Sequence, residues 1–172
     1  IKAVLFDLDG TLADTALDLG GALNTMLREQ GLPEVSMDKI RPVASHGASG
    51  LLELGMNLDK SDPHHASLRQ QYLDTYETCF DKDTVLFEGI DDLVQAIHAR
   101  GLKWGIITNK PHTFTHRLVP QLGFSVAPDV VVSGDTTAEA KTSTKPMFYA
   151  WEKIDIAHEA CLEVGDGERD MQ

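Results

Sequence analysis

The sequence predicts an α/β fold, a doubly wound parallel sheet interrupted just after its first strand by a helical insertion. Three observations carry that prediction. Four short apolar runs are continuous rather than alternating, the pattern of parallel strands buried on both faces. Helical patterns separate the later three runs, and strand–helix alternation of this kind builds a parallel sheet. Between residues 15 and 85 the rhythm changes, and the periodic segments there read as helices.

The first run is Ala3-Val4-Leu5-Phe6. A helix is expected from Thr15, with Asp18 three residues on in the pattern of a capping box. Leu19, Leu23, Met26 and Leu27 form its apolar face, and Gly31 and Pro33 close it. Further helices are expected over 49–54 and 65–80. In the latter, Tyr72, Tyr76 and Phe80 form a stripe that reads as helix packing rather than ligand contact. The α/β rhythm resumes near Leu86. Ile90, Leu93, Val94 and Ile97 at helical spacing, with Gly101 as a stop, predict a helix over Ile90–Ala99. A strand follows over 104–107, then a helix over 114–122 whose last turn Pro120 makes irregular. Val130–Val132 is the third strand, 147–154 the next helix, and Cys161–Val164 the fourth strand, interrupted by Glu163. Residues 1–14 and 86–172 are thus expected to form the α/β core, and 15–85 the inserted helical unit.

Of 172 residues, 42% are hydrophobic, enough for a packed core. Acidic residues number 27 against 15 basic, a net charge of −12, which repels nucleic acid and anionic membranes. Cys79 and Cys161 form no CxxC pair, and two isolated thiols fit a reducing compartment. No apolar run approaches the roughly 18 residues that span a bilayer, and the N-terminus lacks the features of a signal peptide. A cytoplasmic protein with no nucleic-acid or membrane partner is expected. The chain opens at Ile1 rather than Met and stops at Asp170-Met171-Gln172, inside an expected helix start, as a trimmed chain would.

Function is most legible just beyond each strand. Phe6 is followed by Asp7-Leu8-Asp9-Gly10-Thr11, and Ile107 by Thr108-Asn109-Lys110. Val132 is followed by Ser133-Gly134-Asp135, and Val164 by Gly165-Asp166-Gly167-Glu168-Arg169-Asp170. Open α/β sheets bind ligands outside the carboxyl ends of their strands, so these polar groups converge on one crevice. Asp7, Asp9, Asp166 and Asp170 brought together would repel unless a cation joined them. Oxygen-only ligands suit a hard divalent ion such as Mg²⁺. Thr108 and Asn109 add neutral donors, and Lys141 or Lys145 adds fixed positive charge. Carboxylates, metal, lysine and donors are the parts needed for phosphoryl transfer. Four specified residues in a five-residue window, Asp-x-Asp-Gly-Thr, arise by chance in on the order of one in a thousand chains of this length. Other chemistries lack their signatures. His112 and His116 stand at i,i+4 without a third zinc ligand nearby. No P-loop, calcium loop or Gly-x-Ser-x-Gly elbow occurs.

These motifs resemble the haloacid-dehalogenase superfamily, specifically its phosphoglycolate phosphatase-like branch, over nearly the whole chain. Asp7-Leu8-Asp9-Gly10-Thr11-Leu12 looks like the first family motif, Ile107-Thr108-Asn109-Lys110 the second, and Gly165-Asp166 through Asp170 the fourth. The third departs from the branch pattern, with Lys141-Thr142-Ser143-Thr144-Lys145-Pro146 in place of Lys-Pro-x-Pro-x-Pro. Counting back from Pro146 puts Lys141 at the family position, with Lys145 the runner-up. The resemblance implies a Rossmann-like core with a helical cap, and a Mg²⁺-dependent phosphatase acting on a small phosphorylated metabolite. It implies Asp7 as nucleophile and Asp9 as general acid and base. Thr108, Asn109 and Lys141 would hold the phosphate. Asp7, the Asp9 backbone carbonyl and Asp166 would hold the metal, with Asp170 supporting its shell. The motifs look equally like phosphatases of 2-phosphoglycolate and of N-acetylmuramic acid 6-phosphate. A β-phosphoglucomutase-like sugar-phosphate mutase shares them, whereas a response-regulator receiver lacks the insertion after its first strand.

Overall fold

The computed structural model describes residues 1–167 and 170; Glu168, Arg169, Met171 and Gln172, and with them the helix start expected at the C-terminus, lie outside the described residues. The four apolar runs form one parallel sheet: β1 (Ala3–Phe6), β4 (Lys103–Ile107), β5 (Val130–Val132) and β6 (Cys161–Val164), in the order β5-β4-β1-β6. Phe6 pairs with Ile106 on one side and Val164 on the other, and Ile107 pairs with Val132, so all four strands end at nearly the same level. Each polar sequence that follows a strand therefore emerges along one edge of the sheet.

The runs of β1 and β4 are buried on both faces because residues alternate sides, whereas β6, expected to be buried too, lies at the sheet edge with Leu162 and Val164 exposed. Ala3, Leu5, Ile107, Val130 and Val132 pack with Met147, Ala150 and Ile154 of α7 (Lys145–Ile154). The opposite face carries Phe6 against Trp104, ring centroids 6.4 Å apart, and Trp104 against Phe124 at 4.9 Å. Gly105 has no side chain because a Cβ there would lie 2.8 Å from the Val130 carbonyl oxygen of the neighbouring strand. Helix α5 (Ile90–Ala99) packs on β4, with Val94 and Ile97 buried. The helix expected over 114–122 is instead α6 (His112–Leu118) followed by a 3₁₀ turn, Val119–Gln121. Pro120 has no N–H to extend an α-helix, which accounts for the change. A two-stranded antiparallel ribbon, β2 (Ala13–Asp14) with β3 (Val85–Leu86), is too short to leave a period in the sequence.

The chain divides into two compact units, Ile1–Asp14 with Val85–Gln172, and Thr15–Thr84. The second is all helical: α1 (Ala16–Glu29), α2 (Met37–Ile40), α3 (Gly47–Met56) and α4 (His65–Glu77), with a 3₁₀ turn at Arg41–His46. Leu19, Leu23, Met26 and Leu27 of α1 are buried, as their spacing predicts. Tyr72 and Tyr76 are buried and stacked, and the Tyr72 hydroxyl donates to the Leu19 carbonyl at 2.9 Å. The capping box expected at Thr15 is not formed. The Thr15 hydroxyl caps nothing, and Asp18 spends its carboxylate elsewhere. Asp18 Oδ2 accepts from the amides of Asp83 (2.8 Å) and Thr84 (2.9 Å) and from the Thr84 hydroxyl (2.8 Å). Two amides 65 and 66 residues away win because they offer charge-assisted bonds at a buried carboxylate. This ties the last residues of the unit to its first helix.

Candidate active site

Strand β1 lies between β4 and β6, so the loop after it is bracketed by the loops after both neighbours. Asp7 is its first residue beyond the strand and is 3% exposed. The Asp7 amide donates to the Val164 carbonyl at 2.9 Å, extending the ladder one step and fixing where the side chain starts. The chain then turns tightly. The Leu8 carbonyl accepts from the amides of Leu12 (3.0 Å) and Ala13 (3.1 Å), and the Gly10 amide donates to the Ala13 carbonyl at 3.0 Å. Gly10 is required on two counts, a φ of +82° and a Cβ that would lie 2.5 Å from Asp166 Oδ2.

Asp7, Asp166 and Asp170 each bring a carboxylate oxygen within 4.8 Å of the others'. Lys141 enters from the loop before α7, its ammonium 3.3 Å from Asp7 Oδ1 and 2.5 Å from Asp170 Oδ1. Lys145 does not reach this group; it pairs with Glu139 on the surface. The Leu8 amide donates to Asp7 Oδ1 at 2.8 Å. Burial pushes the Asp7 carboxyl up to about 6; the Lys141 ammonium opposes that rise, while the Asp9 and Asp170 carboxylates add to it. Glu163, which interrupts the β6 pattern, also borders this group, and its carboxyl is pushed up by burial, with Lys141 opposing.

The remaining expected site residues take different places. Thr108 is buried at the end of β4, its amide donating to the Val132 carbonyl at 2.9 Å. Asn109 uses its side chain as a clamp: Oδ1 accepts from the Lys141 amide (2.8 Å) and Nδ2 donates to the Lys141 carbonyl (2.9 Å). Asp9 does not join the other aspartates through its side chain; Oδ1 accepts from the Lys110 ammonium at 2.8 Å. Lys110 lies outside the site residues that the sequence predicts; its place directly after Thr108-Asn109 marks it as a cation of the crevice, but not as the partner of Asp9. Thr11 also lies outside the predicted site residues; its hydroxyl donates to Asp166 Oδ1 at 3.4 Å. The His112 and His116 rings stack 4.7 Å apart on the surface. They border a cavity of about 510 Å³ that shares no residue with the aspartates and carries no comparable convergence of charge.

The donor set fits a hard divalent cation. It is all oxygen, three carboxylates converge, and Gly10 and Gly165 keep the cradle open. A Cβ at Gly165 would lie 2.3 Å from the Asp170 carboxyl.

The family model of haloacid dehalogenase-like hydrolases matches residues 4–172. The chain belongs to this family. It is 39% identical to a phosphoglycolate phosphatase of Xanthomonas campestris pv. campestris over 99% of this chain and 76% of the relative. It is 35% identical to an N-acetylmuramic acid 6-phosphate phosphatase of Pseudomonas aeruginosa, over 100% of this chain and 76% of that protein. The fold matches that of a haloacid dehalogenase-like family hydrolase of Streptococcus pneumoniae, with a TM-score of 0.84, 23% identity, and coverage of 99% and 78% of the two chains. This haloacid dehalogenase-like hydrolase sits in the phosphoglycolate phosphatase-like branch, among phosphatases. Among the described residues, no helix is long and apolar enough to cross a membrane.

Proposed function

We propose that the protein is a Mg²⁺-dependent phosphomonoester hydrolase that works through an aspartyl-phosphate on Asp7, with 2-phosphoglycolate as its substrate. One observation carries the reading: a buried carboxylate at the end of the inner strand stands 3.3 Å from a lysine and within 4.8 Å of two further carboxylates. Asp7, the Asp9 backbone carbonyl and Asp166 would hold the cation, with Asp170 beside them. When bound, Mg²⁺ neutralises carboxylate and phosphate charge that would otherwise repel.

The chain's own residues supply the rest. Lys141, fixed by the Asn109 clamp, offers an ammonium to the phosphate oxygens next to the nucleophile. Thr108, buried at the end of β4, is assigned to the phosphate beside it. Asp7 attacks phosphorus, and the ester P–O bond breaks with its electron pair going to the alkoxide oxygen. Asp9 gives that oxygen a proton. Water then attacks the aspartyl-phosphate, Asp9 takes a proton from it, and the P–O bond to Asp7 breaks to restore the carboxylate. Splitting one displacement into two is the gain of covalent catalysis. The 15–84 helical unit is assigned the role of a cap that reads the organic part of the substrate. A second reading, N-acetylmuramic acid 6-phosphate as substrate, draws on the relative at 35% identity.

Phosphate release from a panel of small phosphomonoesters, with and without Mg²⁺, tests this. The expected result is chelator-sensitive turnover that is fastest on 2-phosphoglycolate and lost in Asp7→Asn. Undiminished turnover by Asp7→Asn overturns the mechanism, and preference for the amino-sugar phosphate overturns the substrate.

A further inference from the structure

Lys110 is a buried cation whose side chain is only 4% exposed, and its ammonium lies 2.8 Å from Oδ1 of Asp9, itself 13% exposed. Removing an ammonium from water costs several kcal/mol, and a buried ion pair is commonly no more stabilising than apolar residues of the same volume. The fold alone gives little reason to keep this pair. Its geometry is also held without slack. The Lys110 amide donates to the Thr108 hydroxyl at 3.1 Å, and its carbonyl accepts from the Gly134 amide at 2.9 Å. Gly134 admits no larger residue, since a Cβ there would lie 2.1 Å from the Asn109 carbonyl oxygen. Two lysines thus divide the aspartates: Lys141 stands at Asp7 and Asp170, and Lys110 at Asp9.

We infer that Lys110 is a positioning residue for the general acid and base. By occupying Oδ1 it fixes the Asp9 carboxyl plane and leaves Oδ2 as the oxygen that moves the proton. In the first half-reaction the Oδ2–H bond breaks and its proton goes to the departing alkoxide as the ester P–O bond breaks. In the second, Oδ2 takes a proton from the attacking water as the bond between Asp7 and phosphorus breaks. This rests on the role of Asp9 proposed above.

Leaving-group dependence tests it, because an alkoxide needs that proton and p-nitrophenolate does not. The readout is kcat/KM, which ends with leaving-group release, for 2-phosphoglycolate and p-nitrophenyl phosphate. In Lys110→Met the alkyl ester is expected to lose ~10²-fold more than the aryl ester, within the range of general-acid contributions. Lys110→Arg, which keeps the charge, should recover most of that difference. It also serves as the test if the methionine variant does not fold, since whatever loss remains in it must fall more on the alkyl ester than on the aryl. Asp9→Asn should show the same selectivity for leaving group as Lys110→Met. If Asp9→Asn shows it and the Lys110 variants lower both esters equally, the positioning role is overturned while the Asp9 role stands. If Asp9→Asn lowers both equally, both fail.

Discussion

Replacing Lys141 with Met leaves Asp7 and Asp170 facing each other without their shared cation. At an effective dielectric near 20, unit charges 3.3 Å apart attract by about 5 kcal/mol and those 2.5 Å apart by about 7 kcal/mol. Desolvation of the ammonium offsets much of that, and removing one partner from a buried pair costs about 3–5 kcal/mol. Relief is at hand, because Asp7 already titrates near 6 with Lys141 holding it down, so in the variant a proton at pH 7 costs less than about 1.4 kcal/mol. The loss should therefore fall at the lower end, about 3 kcal/mol. Urea unfolding in the presence of chelator at pH 7 measures it, and the difference should shrink at pH 5, where Asp7 is protonated beforehand. Lys145→Met is the paired control: its lysine is exposed, and the unfolding midpoint should not move. A loss below about 1 kcal/mol in Lys141→Met, or a larger loss in Lys145→Met, would refute the assignment of Lys141 to this group.

The raised Asp7 pKa also makes the metal-free protein sensitive to pH in an unusual direction. Its folded value of about 6 exceeds the ordinary 3.8, so between those limits the folded state binds more protons than the unfolded one. Stability from this group is full below about pH 4 and is lost as pH rises through 6, by about 3 kcal/mol in all. Asp7→Asn should flatten that slope in chelator, as read by melting temperature against pH; equal slopes in both proteins would contradict it. Gly134→Ala should force the Asn109-Lys110 segment to move and with it both lysine contacts. Turnover should fall ~10²-fold while the protein stays folded, since misplacement by an ångström costs about that much. Gly21→Ala is the contrasting change: nothing lies within 4 Å of the added Cβ on an exposed turn of α1, so stability should rise by about 0.5–1 kcal/mol with turnover unchanged.

The sheet was legible because its strands obey a simple rule. Ala3–Phe6 and Val130–Val132 stand where continuous apolar runs put them, Cys161–Val164 does so despite the Glu163 that interrupts it, and the polar residues beyond them converge because strand ends in a parallel sheet share one edge. Helix α1 was legible from its apolar face, but its capping box was not, because Asp18 finds partners 65 and 66 residues away that no local pattern shows. The 3₁₀ turn at Arg41–His46 carries too little period to read. The pairing of Lys110 with Asp9 spans 101 residues and was hidden for the same reason. Asn109 shows a further limit: a polar side chain at a strand end reads as a ligand contact, yet here both ends of its amide hold the Lys141 backbone. Residue type reported the chemistry of the crevice, whereas division of labour inside it depended on packing.

The central claim is that Asp7 itself accepts the phosphoryl group. Mixing excess substrate with the Mg²⁺-loaded enzyme, quenching with acid within one turnover and mapping the peptides by mass spectrometry tests this directly. The peptide containing Asp7 should become heavier by one phosphoryl group, in a form that neutral hydroxylamine releases. Steady phosphate production with that peptide unmodified, or with the group on another residue, would contradict it.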